Sequence, residues 1–264
     1  YAKFWEAYSA YIKQGVAIEQ TEPEKLYPLL RFHTTTKPDE LTSLDDYVAR
    51  MKPDQGEIYY ILGDDKHSVL YSPHLDIVGH YDYEVLLLTD PLDSFMLVKL
   101  REYHDHALVN VANADLEMPE KEEEAGDAEP EPAMAEADHA RLLQRFKDKL
   151  GERVTDVRMT ARLSGSPARL ADPEGALNQE MQRVYRLLDK DFEAPKKVLE
   201  LNPRHPILVR LNQLPEDSQI SPLIIEQIYE NALLIEGLHP EPASMVARIQ
   251  KLMEEVLGEG EVEG

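Results

Sequence analysis

The sequence predicts an α/β subdomain with a small parallel sheet, followed by an α+β domain that ends in a helical hairpin. Three observations lead to this prediction. Strand-like apolar runs alternate with helical patterns in the first part, an acidic stretch interrupts the middle, and two long apolar helical patterns close the chain. Alternating strands and helices are typical of a parallel sheet with helices on its faces. We expect domains at 1–115 and 138–264, separated by an acidic disordered linker or loop at 116–137.

The chain begins with a helical pattern. It places Phe4, Tyr8 and Tyr11 on one face and Trp5 and Ile12 beside them. Aromatic residues at helical spacing pack in a core more often than they stack on a ligand. We therefore expect core packing for these side chains.

The segment from Leu41 to Gly63 joins a capped helix to a buried strand through one turn. Thr42 or Ser43 can cap the helix, and acidic residues follow in its first turn, where the helix dipole favours negative charge. The run at 53–56 contains proline and glycine, which end the helix and form a turn. The apolar run at 58–62 then predicts a central strand.

The rest of the first domain continues this alternation. We expect a helix at 73–78, a strand at 85–88, a helix at 92–103 and a strand at 107–111. A nucleotide-binding domain has a similar order of elements. However, no G-x-G-x-x-G follows a strand and no G-x-x-x-x-G-K-[ST] occurs, so the backbone cradle for a phosphate is missing.

Composition limits the classes of partner. The chain has 264 residues, no cysteine and a formal net charge of -23, which disfavours binding to nucleic acid or to an anionic membrane. The segment 117–139 holds ten acidic residues against one lysine and has no aromatic residue. A solvated tether is favoured there over a docking site for basic proteins. No apolar run reaches the roughly 18 residues of a membrane helix and no signal peptide is visible, so we expect a cytoplasmic protein.

Few residues could support catalysis. Asp64, Asp65 and Asp90 follow strand ends and could hold a metal, but turn and cap roles are favoured for them. His104 and His106 could face one side of a strand, yet a closed zinc site needs four ligands and cysteine is absent. No G-x-S-x-G elbow occurs. We expect no catalytic, metal-binding or cofactor-binding residue in this chain.

The second domain ends in two long apolar helices joined at Gly237. Their apolar residues cover more than the single stripe that a surface helix needs. Two copies of this hairpin could bury each other as a four-helix bundle, and burial within one chain is the alternative. The residues that we expect to mediate self-association are Leu223, Ile224, Ile228, Leu233, Leu234, Met245, Ile249, Leu252, Met253 and Val256.

Several short motifs occur in a fixed order along the chain. They are L-L-R-F at 29–32, T-S-L-x-x-Y-x-x-R-M-K at 42–52, I-Y-Y at 58–60, S-P-H-L at 72–75, E-V-L-L-L at 84–88, S-P-A at 166–168 and E-L-N-P-R-H-P at 200–206. In this order they resemble the ninety-kilodalton heat-shock chaperone family, most closely its bacterial HtpG type. The resemblance spans nearly the whole chain, except for the acidic stretch and the last few residues.

The resemblance implies the C-terminal part of a middle domain followed by a C-terminal dimerisation domain. In this family, ATP and magnesium bind to an N-terminal domain that would precede this chain. The full-length parent would therefore be an ATPase, and this fragment would not be an enzyme. The implied partners are a second copy of the chain and unfolded or partly folded client proteins. The alternative is a passive dimerisation scaffold without client affinity.

Two apolar helical clusters are candidates for client contact. One lies in the helix expected at 92–103 and the other in a helix expected at 173–188. Methionine beside aromatic and branched residues suits adaptable contacts, and core packing is the alternative. By position these residues match the client-contacting surfaces of bacterial members of the family. They are Phe95, Met96, Val98, Leu177, Met181, Val184 and Tyr185.

Overall fold

The computed structural model describes residues 1–19, 21–113, 116, 118, 136–173, 179–188 and 195–258. The chain divides into two units. The first unit comprises Tyr1–Glu122 and Glu174–Pro195, and the second comprises Glu123–Pro173 and Lys196–Gly264.

These units differ from the predicted domains in one respect. The prediction placed the whole of 138–264 in the second domain, whereas Glu174–Pro195 clusters with the first unit. The reason is that the helix described within this segment packs against a helix of the first unit. The linker predicted at 116–137 lies outside the described residues, except for residues 116 and 118 and the start of a helix at 136.

The first unit contains helices on a five-stranded sheet. Numbered along the chain, its described helices are α1 (Ala2–Ile18), α2 (Leu44–Val48), α3 (Lys66–Leu70), α4 (Leu75–Gly79), α5 (Pro91–Leu97) and α7 (Gln179–Leu188). Its strands are β1 (His33–Thr34), β2 (Ile58–Leu62), β3 (Val85–Leu88), β4 (Glu102–Tyr103) and β5 (His106–Asn110).

The second unit contains helices and a three-stranded sheet. Its described helices are α6 (Glu136–Leu150), α8 (Pro206–Gln213), α9 (Ser221–Ile235) and α10 (Met245–Gly258). Its strands are β6 (Asp156–Met159), β7 (Ala168–Ala171) and β8 (Val198–Leu201).

The sheet of the first unit has the strand order β1-β3-β2-β5-β4. Strand β2 is parallel to both β3 and β5, whereas the short edge strands β1 and β4 are antiparallel to their neighbours. Strands β2 and β3 are buried on both faces, which explains their continuous apolar sequences. The two core clusters that cover these faces contain Ile58, Tyr60, Leu86 and Leu88, and Tyr59, Ile61, Val85 and Leu87, respectively.

The predicted helix cap and central strand are both present. Ser43 Oγ accepts a hydrogen bond from the Asp46 amide at 3.0 Å, and Asp46 Oδ2 accepts one from the Ser43 amide at 3.3 Å, which completes a capping box. The strand has the predicted bounds, Ile58–Leu62. The buried Tyr47 hydroxyl accepts a hydrogen bond from the Tyr59 amide at 3.0 Å. This bond ties α2 directly to β2.

We predict that Gly63→Ala destabilises the first unit. Gly63 follows β2, and a β-carbon at this position would overlap the buried side chain of Val69. Overpacking of this kind costs about 1–3 kcal/mol. Urea unfolding followed by the fluorescence of Trp5, the single tryptophan of the chain, measures the loss.

Gly56→Ala is the matched control for this substitution. A β-carbon at Gly56 has nothing within 4 Å. We therefore expect its free energy of unfolding to change by no more than about 0.5 kcal/mol. Equal urea midpoints for the Gly63 and Gly56 variants would contradict the prediction.

The helix predicted at 92–103 is wrong beyond Leu97. Helix α5 ends there, and the chain continues into a hairpin of β4 and β5 joined by His104 and Asp105. These two residues have φ values of 47° and 67°. A two-residue hairpin turn of type I′ requires positive φ at both positions, and aspartate tolerates it better than most residues. The turn therefore accounts for His104 and Asp105, whereas His106 is the first residue of β5.

Helix α1 contradicts the expected core packing of its aromatic stripe. The face with Phe4, Tyr8 and Tyr11 is exposed, and the ring centroids lie 5.0 and 6.4 Å apart along it. A different face packs inward, and on it Lys13 Nζ lies 2.7 Å from Asp93 Oδ1 of α5. The buried residues of α1 are Trp5, Ile12, Lys13 and Val16.

The sheet of the second unit has the strand order β6-β8-β7. The central strand β8 is parallel to β6 and antiparallel to β7. One core cluster joins this sheet to α6, α8 and α9. Its members include Leu142, Phe146, Leu170, Leu199, Leu201, Leu208, Leu211, Ile225 and Ile228.

A row of charges crosses the same three strands. Glu200 of β8 lies opposite Arg158 of β6 and Arg169 of β7. Arg158 Nε donates a hydrogen bond to Glu200 Oε1 at 2.9 Å, and Arg169 Nε donates one to Glu200 Oε2 at 2.6 Å. Glu200 and Arg169 are buried, whereas the side chain of Arg158 is 49% exposed. The carboxylate of Glu200 therefore offsets the positive charge of two arginines, of which Arg169 is shielded from solvent.

Candidate functional site

The hairpin of α9 and α10 carries the residues predicted to mediate self-association. Gly237 ends α9 in the left-handed conformation, with a φ of 66°. Its amide donates to Leu234 O at 3.1 Å, and the Leu238 amide donates to Leu233 O at 2.9 Å. This pair of bonds is a Schellman motif, which glycine favours because it lacks a β-carbon.

Polar contacts near the turn hold α10 against α9. Arg248 Nε donates a hydrogen bond to Gln227 Oε1 at 3.0 Å, and Arg248 also forms an ion pair with Glu230. His239 Nε2 lies 3.2 Å from Glu230 Oε2. All these contacts involve the first turn of α10 or the loop before it. The later turns of α10 are therefore not positioned by them.

Burial divides the predicted self-association residues into groups. Ile228 and Met245 are buried within the chain itself, and Ile228 belongs to the core of the second unit. Their burial corrects their assignment to a contact between two copies. The partly buried residues are Leu223, Ile224, Leu233, Ile249 and Leu252. The exposed residues are Leu234, Met253 and Val256.

The hairpin leaves an apolar face uncovered by any described residue. Val256 is 71% exposed and Leu257 is 76% exposed, and no residue of α10 belongs to a core cluster of the described chain. Exposed apolar side chains grouped on one helical hairpin mark an interaction site more often than apolar residues scattered singly over a surface. We call it the hairpin apolar face, and it consists of Leu234, Ile235, Val246, Met253, Val256 and Leu257.

Three members of the hairpin apolar face were missing from the predicted set. They are Ile235, Val246 and Leu257. Val246 and Leu257 flank the stripe with spacings of four and three residues that guided the prediction, so periodicity alone could have included them. Ile235 is the last residue of α9, and its exposure follows from the position of the turn.

The candidate client-contact residues of α5 differ in exposure. Met96 has no exposed surface and belongs to the core of the first unit, because that side of α5 packs inward. Its burial corrects its assignment to a client surface. Phe95 is partly buried, and Val98, which caps α5, is 42% exposed.

Helix α7 supplies the remaining candidates and packs against α5 within the first unit. Leu177 lies outside the described residues. Val184 is buried in this conformation, which corrects its assignment to an accessible surface. Met181 is partly buried. Tyr185 is 41% exposed, and its role in client contact stays a prediction. The exposed apolar residues that were not in the predicted set are Leu187 and Leu188.

Buried polar contacts attach α7 to the first unit. Glu180 Oε1 accepts hydrogen bonds from the Tyr60 hydroxyl of β2 and from Asn110 Nδ2 of β5, the latter at 3.0 Å. Burial and the nearby Glu180 carboxylate raise the pKa of Tyr60, which keeps its hydroxyl protonated as a donor. Arg183 Nη2 lies 3.1 Å from Asp64 Oδ1, and burial lowers the pKa of Arg183. Since Tyr60 and Glu180 are 120 residues apart, no local sequence pattern indicates this contact.

The residues weighed as metal ligands have other partners. Asp65 caps α3 and Asp90 caps α5, and Asp64 forms the ion pair described above. His106 Nδ1 lies 2.8 Å from a backbone carbonyl. In the described part of the chain, no group of three His, Cys, Asp or Glu side chains could hold a metal ion. Over the same described residues, no helix combines the length and the apolar character that crossing a membrane requires.

Comparison with known proteins places the chain in a family. The family model described as Hsp90 protein matches residues 1–263. The chain therefore belongs to the Hsp90 family.

Its curated relatives include several bacterial proteins named "Chaperone protein HtpG". That of Aromatoleum aromaticum is 39% identical over 256 residues, which make up 96% of this chain and 39% of the relative. That of Desulfitobacterium hafniense is 34% identical over 260 residues, or 97% of this chain and 42% of the relative. That of Chlorobium phaeovibrioides is 36% identical over 255 residues, which make up 95% of this chain and 40% of the relative. The chain thus spans about two fifths of the length of these relatives.

Proposed function

We propose that this chain is the dimerisation and client-binding part of an Hsp90-family chaperone. The observation that carries the proposal is the hairpin apolar face, which no described residue covers. Membership of a family whose relatives are named as chaperones supports this reading. In this proposal the chain corresponds to the C-terminal part of the middle domain together with the dimerisation domain.

The hairpin apolar face is suited to a symmetric contact between two copies. Its exposed residues lie on both helices of one hairpin, so a two-fold axis can pair the face with itself. Burial of these side chains on both copies contributes on the order of 10–20 kcal/mol gross, before the costs of association. A dissociation constant of about 1 μM requires a net gain of about 8 kcal/mol.

The client surface lies on α5 and α7. Val98 ends α5, and Tyr185, Leu187 and Leu188 lie on the helix packed against it. Exposed aromatic and branched side chains bind apolar segments of an unfolded polypeptide without requiring a defined sequence. The rival function is a passive dimerisation scaffold, in which these side chains bind no client.

Charge substitutions on this surface separate the two functions. We predict that Val98→Glu combined with Leu188→Glu weakens client binding at least about tenfold, because two apolar contacts are lost and two carboxylates are desolvated. Leu188 is 71% exposed, so the substitutions leave the core intact. The measurement is fluorescence anisotropy of labelled, reduced and carboxymethylated α-lactalbumin titrated with the chain.

The matched control is Lys99→Gln combined with Arg186→Gln. Both side chains are exposed and neighbour the tested positions, and the pair changes the net charge by the same amount. We expect the control to bind the probe as the unmodified chain does. Equal affinities for the control and the charged variant would instead support the passive scaffold.

We assign ATP and magnesium to another part of the full-length parent, and we place the parent in the cytoplasm. The chain itself has no phosphate-binding glycine motif. We expect no ATP hydrolysis by the chain alone. Turnover that rises in proportion to chain concentration would contradict this assignment.

A further inference from the structure

Helix α7 occupies an unusual position in the chain. Its residues come between β7 and β8, which pair with each other in the sheet of the second unit. The helix nevertheless clusters with the first unit, where it packs against α5. Its docking on the first unit is therefore a long-range contact that the local chain does not impose.

Three buried side chains make the central contact. The Tyr60 hydroxyl and Asn110 Nδ2 both donate to Glu180 Oε1, and all three residues are buried. In the described part of the chain, no cationic side chain forms an ion pair with Glu180. Burial of a carboxylate without a paired cation is costly, and neutral donors offset only part of that cost. At this contact, the charge of the buried Glu180 carboxylate is therefore offset by neutral donors alone.

Packing of α7 on the first unit also determines which of its apolar side chains are exposed to a binding partner. Val184 is buried and Met181 is partly buried in the docked helix. Together with Tyr185 and Leu188, these residues have the spacing i, i+3, i+4, i+7, which forms one stripe along a helix. Release of α7 would therefore expose a complete apolar stripe, of which the docked helix presents only part.

We propose that Tyr60, Asn110 and Glu180 form a latch that holds α7 on the first unit, and that the released helix binds an unfolded polypeptide through its full apolar stripe. The latch is an autoinhibitory contact, because it covers part of the stripe that the client needs. The inhibitory effect of the latch rests on the proposed client-binding function. The existence of the latch is tested without any client.

Hydrogen exchange of the amides at 179–188 measures release of α7. Tyr60→Phe removes the donor hydroxyl and keeps the ring, so exchange should accelerate about tenfold or more. Glu180→Gln keeps an acceptor oxygen and removes the buried charge, so exchange should slow. Opposite changes from two substitutions at one contact distinguish a latch from general destabilisation. Tyr71→Phe, at a tyrosine that is largely exposed, is the control and should leave exchange unchanged.

The same variants are titrated against labelled, reduced and carboxymethylated α-lactalbumin. Tighter binding by Tyr60→Phe and weaker binding by Glu180→Gln support both the latch and its inhibitory effect. Unchanged exchange in Tyr60→Phe, or faster exchange in Glu180→Gln, overturns the latch. If exchange changes as expected but affinity for the probe does not, the latch stands and the client-binding role of α7 is overturned.

Discussion

Glu200→Gln is expected to lower the free energy of unfolding of the second unit by about 3–5 kcal/mol. The substitution preserves the shape of the side chain and removes the carboxylate charge that Arg169 and Arg158 both contact. Breaking a buried ion pair by removing the charge of one member is among the most destabilising changes that a single substitution produces. Urea unfolding followed by far-ultraviolet circular dichroism measures the change.

Two further variants serve as controls. Arg158→Gln removes the half-exposed member of the charge row, so we expect a loss of no more than about 1 kcal/mol. Glu152→Gln removes an exposed carboxylate from the same unit and should change stability by less than about 0.5 kcal/mol. If Glu200→Gln lowers the free energy of unfolding no more than Arg158→Gln does, the expected contribution of the buried Arg169–Glu200 pair is contradicted.

The same carboxylate makes the stability of the second unit depend on pH. Burial alone would raise the pKa of Glu200, but Arg169 and Arg158 outweigh burial and hold the pKa below its ordinary value. A carboxylate with a lowered folded-state pKa stabilises the fold above its ordinary pKa, and this contribution is lost as pH falls through the folded-state pKa. The stability difference between the unmodified chain and Glu200→Gln should therefore narrow on acidification.

Val256→Glu is expected to convert a dimeric chain into a monomer at micromolar concentration. Val256 is 71% exposed, so the substitution leaves the folded chain intact and changes only what binds to the hairpin apolar face. In a two-fold symmetric contact each substitution occurs twice. Loss of two buried valines and desolvation of two carboxylates weaken association by at least about a hundredfold.

Lys251→Gln is the matched control for this experiment. It makes the net charge more negative by the same amount, at an exposed position about 140° around α10 from Val256. Light scattering should show a dimer for the control and a monomer for Val256→Glu. Equal masses for the two variants would exclude the hairpin apolar face as the contact.

Local chemistry explains which elements could be predicted from the sequence. Ser43 and Asp46 lie three residues apart, so their capping box is visible in a short window. The apolar run at β2 is bounded by turn residues, so the first and last residues of the strand could be predicted from the sequence. His104 and Asp105 show the opposite case, because two residues that resemble metal ligands form a tight turn through their backbone conformation.

Long-range contacts explain the predictions that were wrong. The periodicity of α1 shows two apolar faces, and packing against the distant helix α5 buries the one that carries Trp5, Ile12 and Val16. In the same way, periodicity placed Met96 and Ile228 on apolar stripes. It could not say whether the stripe faces the chain's own core or a partner, since that depends on elements far along the chain.

The position of α7 was the least predictable feature. Its amphipathic pattern is clear from residues 179–188, but its membership of the first unit depends on Glu180 meeting Tyr60 and Asn110. Those partners lie in strands that precede Glu180 by 120 and 70 residues, respectively. A continuous second domain was the simplest expectation, and a buried polar contact overrides it.

The molar mass of the unmodified chain in solution tests the central claim most directly. Size-exclusion chromatography with multi-angle light scattering at micromolar concentration should give twice the chain mass of 30.2 kDa. A mass of 30.2 kDa across that concentration range would contradict dimerisation through the hairpin apolar face.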